Sequence, residues 1–184
     1  MRAFLAVELS PGVQERLVEV KRELAQLGAA VRWVRDDNLH VTVKFLGSVA
    51  EDALDALRAR LRDALHATAP MAASVRGLGA FPDLRRARVV WAGVECAPLP
   101  ALAALADGAA ARIGVLPETR PFRAHLTLGR VNGTRGWKPL AQDLAARAGE
   151  DFGGCALTEL VALRSDLRPG GALYTKLWSI PFGG

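Results

Sequence analysis

Two stretches of the chain share one pattern, Leu39-His40-Val41-Thr42-Val43-Lys44-Phe45-Leu46-Gly47 and Ala124-His125-Leu126-Thr127-Leu128-Gly129-Arg130. In each, a His is followed two residues later by a Thr, with an aliphatic residue between them and another after. The 184 residues contain 3 histidines, so two of the three sit in this context. Imidazoles titrate near pH 6.5, which lets one be neutral and the other protonated and divides general base from general acid between them. Two threonine hydroxyls beside them would donate hydrogen bonds to the non-bridging oxygens of a phosphate. That set suits in-line attack on phosphorus, where one proton is removed and another delivered on opposite sides of the reacting atom. It is complete without a metal: no third ligand stands at a recognisable spacing, and Asp36 and Asp37 read as turn residues. No GxSxG nucleophile elbow is present.

The elements that position these groups are strands. Alternation with period two puts each His on the same sheet face as its Thr, and adds Lys44 to the face of His40 and Thr42. Leu39, Val41, Val43, Phe45, Leu126 and Leu128 then point the other way, into a core. Taken in order, the pattern predicts a strand from Phe4 to Leu9, then a helix begun by Ser10-Pro11, striped by Val13, Leu17, Val20, Leu24 and Leu27, and ended by Gly28. A strand at residues 31–34, a turn at 35–38 and the first motif strand, 39–46, follow. Ser48 and Glu51 have capping-box spacing ahead of a helix carrying Leu54, Leu57, Leu61 and Leu65. Strands at 71–78 and 88–94, a helix at 98–113, the second motif strand at 122–131, a helix at 138–148 and strands at 156–165 and 172–180 complete the order. Helices alternating with pairs of strands argue for α+β with antiparallel sheets.

Composition sets the outer bounds. The length fits one domain, and 51% hydrophobic residues are ample for a packed core. The longest apolar run is far short of the ~18 residues that cross a membrane. The first residues, with Glu8 among them, read as a strand of a cytoplasmic protein and not as a signal peptide. Cys96 and Cys155 lack metal or CxxC spacing and read as ordinary thiols. A net charge of +5 permits a nucleic-acid partner without establishing one. Arg85, Arg86 and Arg88 read as a solvated loop and His66 as a helix-end surface residue. Phe4, Trp33 and Trp91 read as core aromatics, although each is of a type that stacks on bases.

The paired motifs resemble the signature of the 2H phosphoesterase superfamily. Arg2-Ala3-Phe4, the stretches 39–47 and 77–82, the strand Arg88-Val89-Val90-Trp91-Ala92-Gly93-Val94 and Gly170-Gly171-Ala172-Leu173-Tyr174 narrow the resemblance to the RNA 2′,3′-cyclic phosphodiesterases, also called 2′-5′ RNA ligases. The likeness spans essentially the whole chain. It implies a single domain over residues 1–184 made of two intertwined lobes: two antiparallel sheets related by a pseudo-twofold around a central cleft, with helices outside. It also implies a hydrolase that opens 2′,3′-cyclic phosphate RNA ends to 2′-phosphomonoesters, without cofactor, as a monomer. His40 would then be the proton donor to the leaving oxygen and His125 the proton acceptor. Thr42 and Thr127 would orient the phosphate, and Arg130 matches a substrate-binding position. Lys44 and Tyr174 are further candidates along the cleft wall. The rival outcomes are 2′-5′ ligation by the reverse chemistry, action on a different cyclic phosphate or a 2′-5′ oligoadenylate, and an RNA-binding module without turnover.

Overall fold

The computed structural model describes residues 1–183. Its outer layer is four helices, each burying apolar residues of its inner face. In α1 (Pro11–Ala25) the buried residues include Val13, Leu17, Val20 and Leu24; in α2 (Glu51–Leu65) they are Leu54, Leu57, Leu61 and Leu65. The Ala-rich α3 (Leu99–Ala111) buries Leu99, Leu102 and three alanines, and α4 (Trp137–Ala146) buries Leu140 and Leu144. None of these helices is long and apolar enough to cross a membrane.

The inner layer is one curled antiparallel sheet of nine strands. They are β1 (Arg2–Val7), β2 (Val31–Trp33), β3 (Val41–Ser48), β4 (Met71–Phe81), β5 (Val89–Glu95), β6 (His125–Val131), β7 (Asp151–Leu157), β8 (Glu159–Arg168) and β9 (Gly171–Pro181). The spatial order is β7-β4-β5-β6-β3-β1-β8-β9, with β2 on β6. The sheet is thus two four-stranded halves, β7-β4-β5-β6 and β3-β1-β8-β9, and each ends at the seam on one His-x-Thr strand. The halves are joined by a single register pair, Val41 with Leu126, while β2 takes the same edge of β6 from Gly129 onward.

Three local expectations change. A further strand, β7, occupies residues 151–157, where Gly153 and Gly154 lower strand propensity; pairing with β4 overrides it. Ser48 is the last residue of β3 and does not cap α2, whose N-cap is Ala50 without a side-chain bond. Ser10 is the N-cap of α1, but its backbone carbonyl, not its hydroxyl, accepts from Gln14 N–H.

Candidate active site

Residues opposed across an antiparallel pair point to the same face. Val41 and Leu126 are opposed and fully buried under the helices, so their neighbours His40, Thr42, His125 and Thr127 all project from the other, concave face. The antiparallel pair supplies a local twofold between the two motifs. Over six residues from each histidine the burial sequence is the same: half-buried His, buried aliphatic, half-buried Thr, two buried residues, one exposed residue.

The two consecutive buried residues come from matched β-bulges, and these correct the strict alternation expected from sequence. In β3, Ala6 pairs with Thr42 but Leu5 with Lys44, leaving Val43 as the extra residue. In β6, Trp91 pairs with Thr127 but Val90 with Gly129, leaving Leu128 extra. Beyond each bulge the faces exchange. Lys44 is therefore not on the cleft wall: it is 5% exposed on the helix side, its Nζ 2.5 Å from Asp107 on α3 and donating to Leu116 O at 2.9 Å. Phe45, expected in the core, instead stands on the concave face, 62% exposed. Arg130 is carried to that face by the same shift in β6. Asp107→Ala, which strands the Lys44 ammonium, is expected to cost about 3 kcal/mol of unfolding free energy, and adding Lys44→Met should recover most of it. Urea unfolding of the three proteins checks this.

His40 is oriented from three sides. Its Nδ1–H donates to Asn38 O at 2.8 Å, which leaves Nε2 toward the cleft, 3.2 Å from the Thr42 hydroxyl. The rings of Phe4 and Tyr174 lie 4.8 Å and 5.2 Å from the imidazole, Tyr174 edge-on. Asn38 was legible only as a turn residue, yet it is buried and its side-chain amide donates to Ala172 O at 2.7 Å, tying the turn before His40 to the start of β9. Lys21, buried on α1, holds the same turn through Val34 O and Asp36. Asn38→Ala is expected to lower kcat about tenfold, with a smaller change in KM, because the carbonyl that fixes the imidazole loses its anchor. That carbonyl also favours the protonated ring, so the variant's pH profile should shift to lower pH, which a general loss of stability would not produce.

His125 repeats the arrangement with different partners. Its Nδ1–H donates to Arg123 O at 2.7 Å, and the Phe81 ring stands edge-on at 4.9 Å. Trp91 backs Phe81 at 5.2 Å and lies so close to Gly79 that a Cβ there would fall 2.3 Å from the indole. Trp33 packs over Gly129 on the helix side. Phe4 is buried, and Trp33 and Trp91 are half-buried against these neighbours, in keeping with the packing role expected of them. Arg85 and Arg86 lie on an exposed loop wrapped around Asp83, also as indicated.

Electrostatics link the halves. Burial pushes His40 down to about 4, with a smaller push in the same direction from His125. Burial also lowers His125, and the Arg130 cation adds to the effect. Burial raises the Tyr174 phenol, which the same cation opposes. Arg130 therefore acts on groups from both halves. Arg32 stands directly opposite it in the β2–β6 register, and among the described residues neither guanidinium has an ion-pair partner. Two like charges opposed on one face repel, and a bound anion would relieve that cost. The structure thus brings His40, Thr42, His125, Thr127, Arg130 and Tyr174 to one concave face and leaves Lys44 on the other. Two half-buried imidazoles with their tautomers fixed and Nε2 turned inward, beside unpaired cations, can hold a phosphate and move protons on either side of it.

Residues 7–91 match the LigT like Phosphoesterase family. The chain is 36% identical over 178 residues to an RNA 2′,3′-cyclic phosphodiesterase of Methanothermobacter thermautotrophicus, covering 96% of each chain. A Thermus thermophilus protein of known crystal structure superposes with a TM-score of 0.83 at 28% identity, covering 100% of this chain and 99% of that one. Escherichia coli LigT complexed with 3′-AMP superposes with a TM-score of 0.78 at 28% identity, covering 100% and 98%.

Proposed function

Because the chain belongs to the LigT-like phosphoesterases, we propose that it is an RNA 2′,3′-cyclic phosphodiesterase, hydrolysing cyclic phosphate ends to 2′-phosphomonoesters. The observation that carries this is the seam: one His-x-Thr strand from each half of the sheet meets the other about a local twofold, giving two inward-facing Nε2 atoms on one face.

In this reading the phosphate sits between the strands, taking hydrogen bonds from the Thr42 and Thr127 hydroxyls and from Arg130, with Tyr174 closing over the His40 side. His125 Nε2 takes a proton from water as the water oxygen bonds to phosphorus. The P–O3′ bond breaks, and His40 Nε2–H gives its proton to the departing 3′ oxygen. Solvent then returns His40 to its protonated form and removes the proton from His125. The two imidazoles supply both proton transfers, so no metal or cofactor enters the scheme. His40 must be protonated to act, and the bound phosphate anion raises its proton affinity at the moment it is needed. Both histidines come from one chain, so a single copy holds the whole centre, which fits a monomer. Two half-buried unpaired thiols, Cys96 and Cys155, fit a reducing cytoplasm.

The test is incubation, with EDTA present, of an oligoribonucleotide ending in a 2′,3′-cyclic phosphate. A 2′-phosphate product supports the proposal. No turnover with RNA binding retained would contradict it and leave a binding module. With 5′-hydroxyl RNA added, a 2′-5′-joined product would assign the reverse reaction to the same centre.

A further inference from the structure

Outward from the Val41–Leu126 pair, the antiparallel register sets His40 opposite Thr127, at the level where β3 begins. Beyond that level the edge of β6 is taken by β2, with Arg32 opposite Arg130. Val31 and Trp33 pack over Gly129 on the helix side, so Arg32, between them, stands on the concave face, where it is exposed. One residue of β6 is absorbed by its bulge, which leaves the two guanidinium-bearing positions about 7 Å along the strand from His40 and Thr127. The carboxylates nearest Arg32 in the chain are already taken: Asp36 pairs with Lys21 and Arg22, and Asp37 with Arg35. Arg130 is committed to the reacting phosphate, and its charge is felt at His125 and Tyr174. Arg32 is thus a second cation on the same face, one strand over, that the reaction at phosphorus does not use.

The connectivity of ribose fixes what this end of the cleft receives. In a nucleoside 2′,3′-cyclic phosphate the base hangs from C1′, next to C2′, whereas the 5′ arm hangs from C4′, next to C3′. The oxygen that takes the proton of His40 is O3′, so the 5′ arm leaves the ring on the His40 side and the base on the O2′ side. From the level of His40 the concave face leads outward to β2. We infer that Arg32 binds the phosphodiester on the 5′ side of the terminal nucleotide, the first phosphate of the RNA chain behind the reacting one. This rests on the cyclic phosphodiesterase reading and on His40 as donor. The two opposed guanidiniums then serve successive phosphates, Arg130 the cyclic one and Arg32 the next, and the two anions relieve the repulsion between the cations. A phosphate contact carries no sequence information, so the site favours a chain end over a free cyclic nucleotide without choosing a base.

The test compares kcat/KM for two forms of adenosine 2′,3′-cyclic phosphate, one carrying a 5′-methylphosphate and one a free 5′ hydroxyl. They differ only in the phosphodiester at issue. The parent protein should favour the methylphosphate, and Arg32→Gln should lower that preference about 5- to 30-fold, the worth of one exposed charge-assisted hydrogen bond. Arg32→Lys, which keeps the charge and loses the planar fork, should retain part of it. Added salt should shrink the preference of the parent and hardly move that of Arg32→Gln. No preference in the parent, or equal loss on both substrates in Arg32→Gln, overturns the assignment. If the parent turned over neither substrate, the phosphodiesterase reading would fall but the site could still be judged. Calorimetric binding of adenosine 3′,5′-bisphosphate and of adenosine 3′-monophosphate would then decide. Weakening of the bisphosphate alone by Arg32→Gln supports the site; equal weakening, or none, overturns it.

Discussion

His40→Ala and His125→Ala are each expected to lower kcat by about 10²- to 10⁴-fold, the usual contribution of a positioned proton donor or acceptor. Removing both should cost much less than the product of the two, because the imidazoles act in one concerted displacement and the threonines and Arg130 still bind the phosphate. KM should move far less than kcat in each single variant. The loss should not reflect unfolding. Both side chains are half-buried on the concave face, outside the main core, and each ring bonds to a carbonyl only two residues away. Single-turnover rates with urea unfolding of the same samples separate the two effects. A variant that lost its stability and its activity together would not support the assignment.

The pH dependence of the same reaction should differ between free and substrate-bound protein. In the free cleft burial holds His40 near 4 and depresses His125 below its ordinary value, so above pH 6.5 both rings are neutral. The active form needs one proton shared over the pair. The curve for kcat/KM should therefore peak on the acid side of 6.5 and fall tenfold per pH unit above the upper pKa. A bound cyclic phosphate brings a negative charge beside both rings, favours their protonated forms and moves the limbs of the kcat profile to higher pH. Arg130→Gln removes a cation that disfavours protonated His125, so the upper limb of its kcat/KM profile should lie at higher pH than in the parent. Coincident kcat and kcat/KM profiles would contradict this electrostatic picture.

What could be read from the sequence followed from regular periodicity. The helical stripes gave α1 and α2 nearly to their ends, and the repeated His-x-Thr gave the catalytic face, because the alternation from histidine to threonine is undisturbed. It failed one residue later. A bulge depends on the register of the neighbouring strand, which no local pattern records, so Lys44 and Phe45 were assigned to each other's faces. The Gly153-Gly154 strand escaped notice because its stability comes from β4 and not from its own residues. Asn38 looked like any turn asparagine; its link to Ala172 joins residues far apart in the chain. Arg130 was identified by resemblance alone, since strict alternation would have sent it into the core. The correct placements and the misplacement on these strands thus share one cause, the paired bulges.

The central claim is that His40 and His125 do different work on opposite sides of one phosphorus atom. It is tested most directly with a 2′,3′-cyclic phosphate in which sulfur replaces the 3′ bridging oxygen, a leaving group that departs without needing a proton. The quantity to measure is kcat on this substrate and on its oxygen parent for both histidine variants. The account predicts that the sulfur substrate restores most of the rate to His40→Ala and little to His125→Ala, which still lacks the base that activates water. Restoration of His125→Ala in place of His40→Ala would reverse the roles, and equal restoration of both would contradict the division of labour.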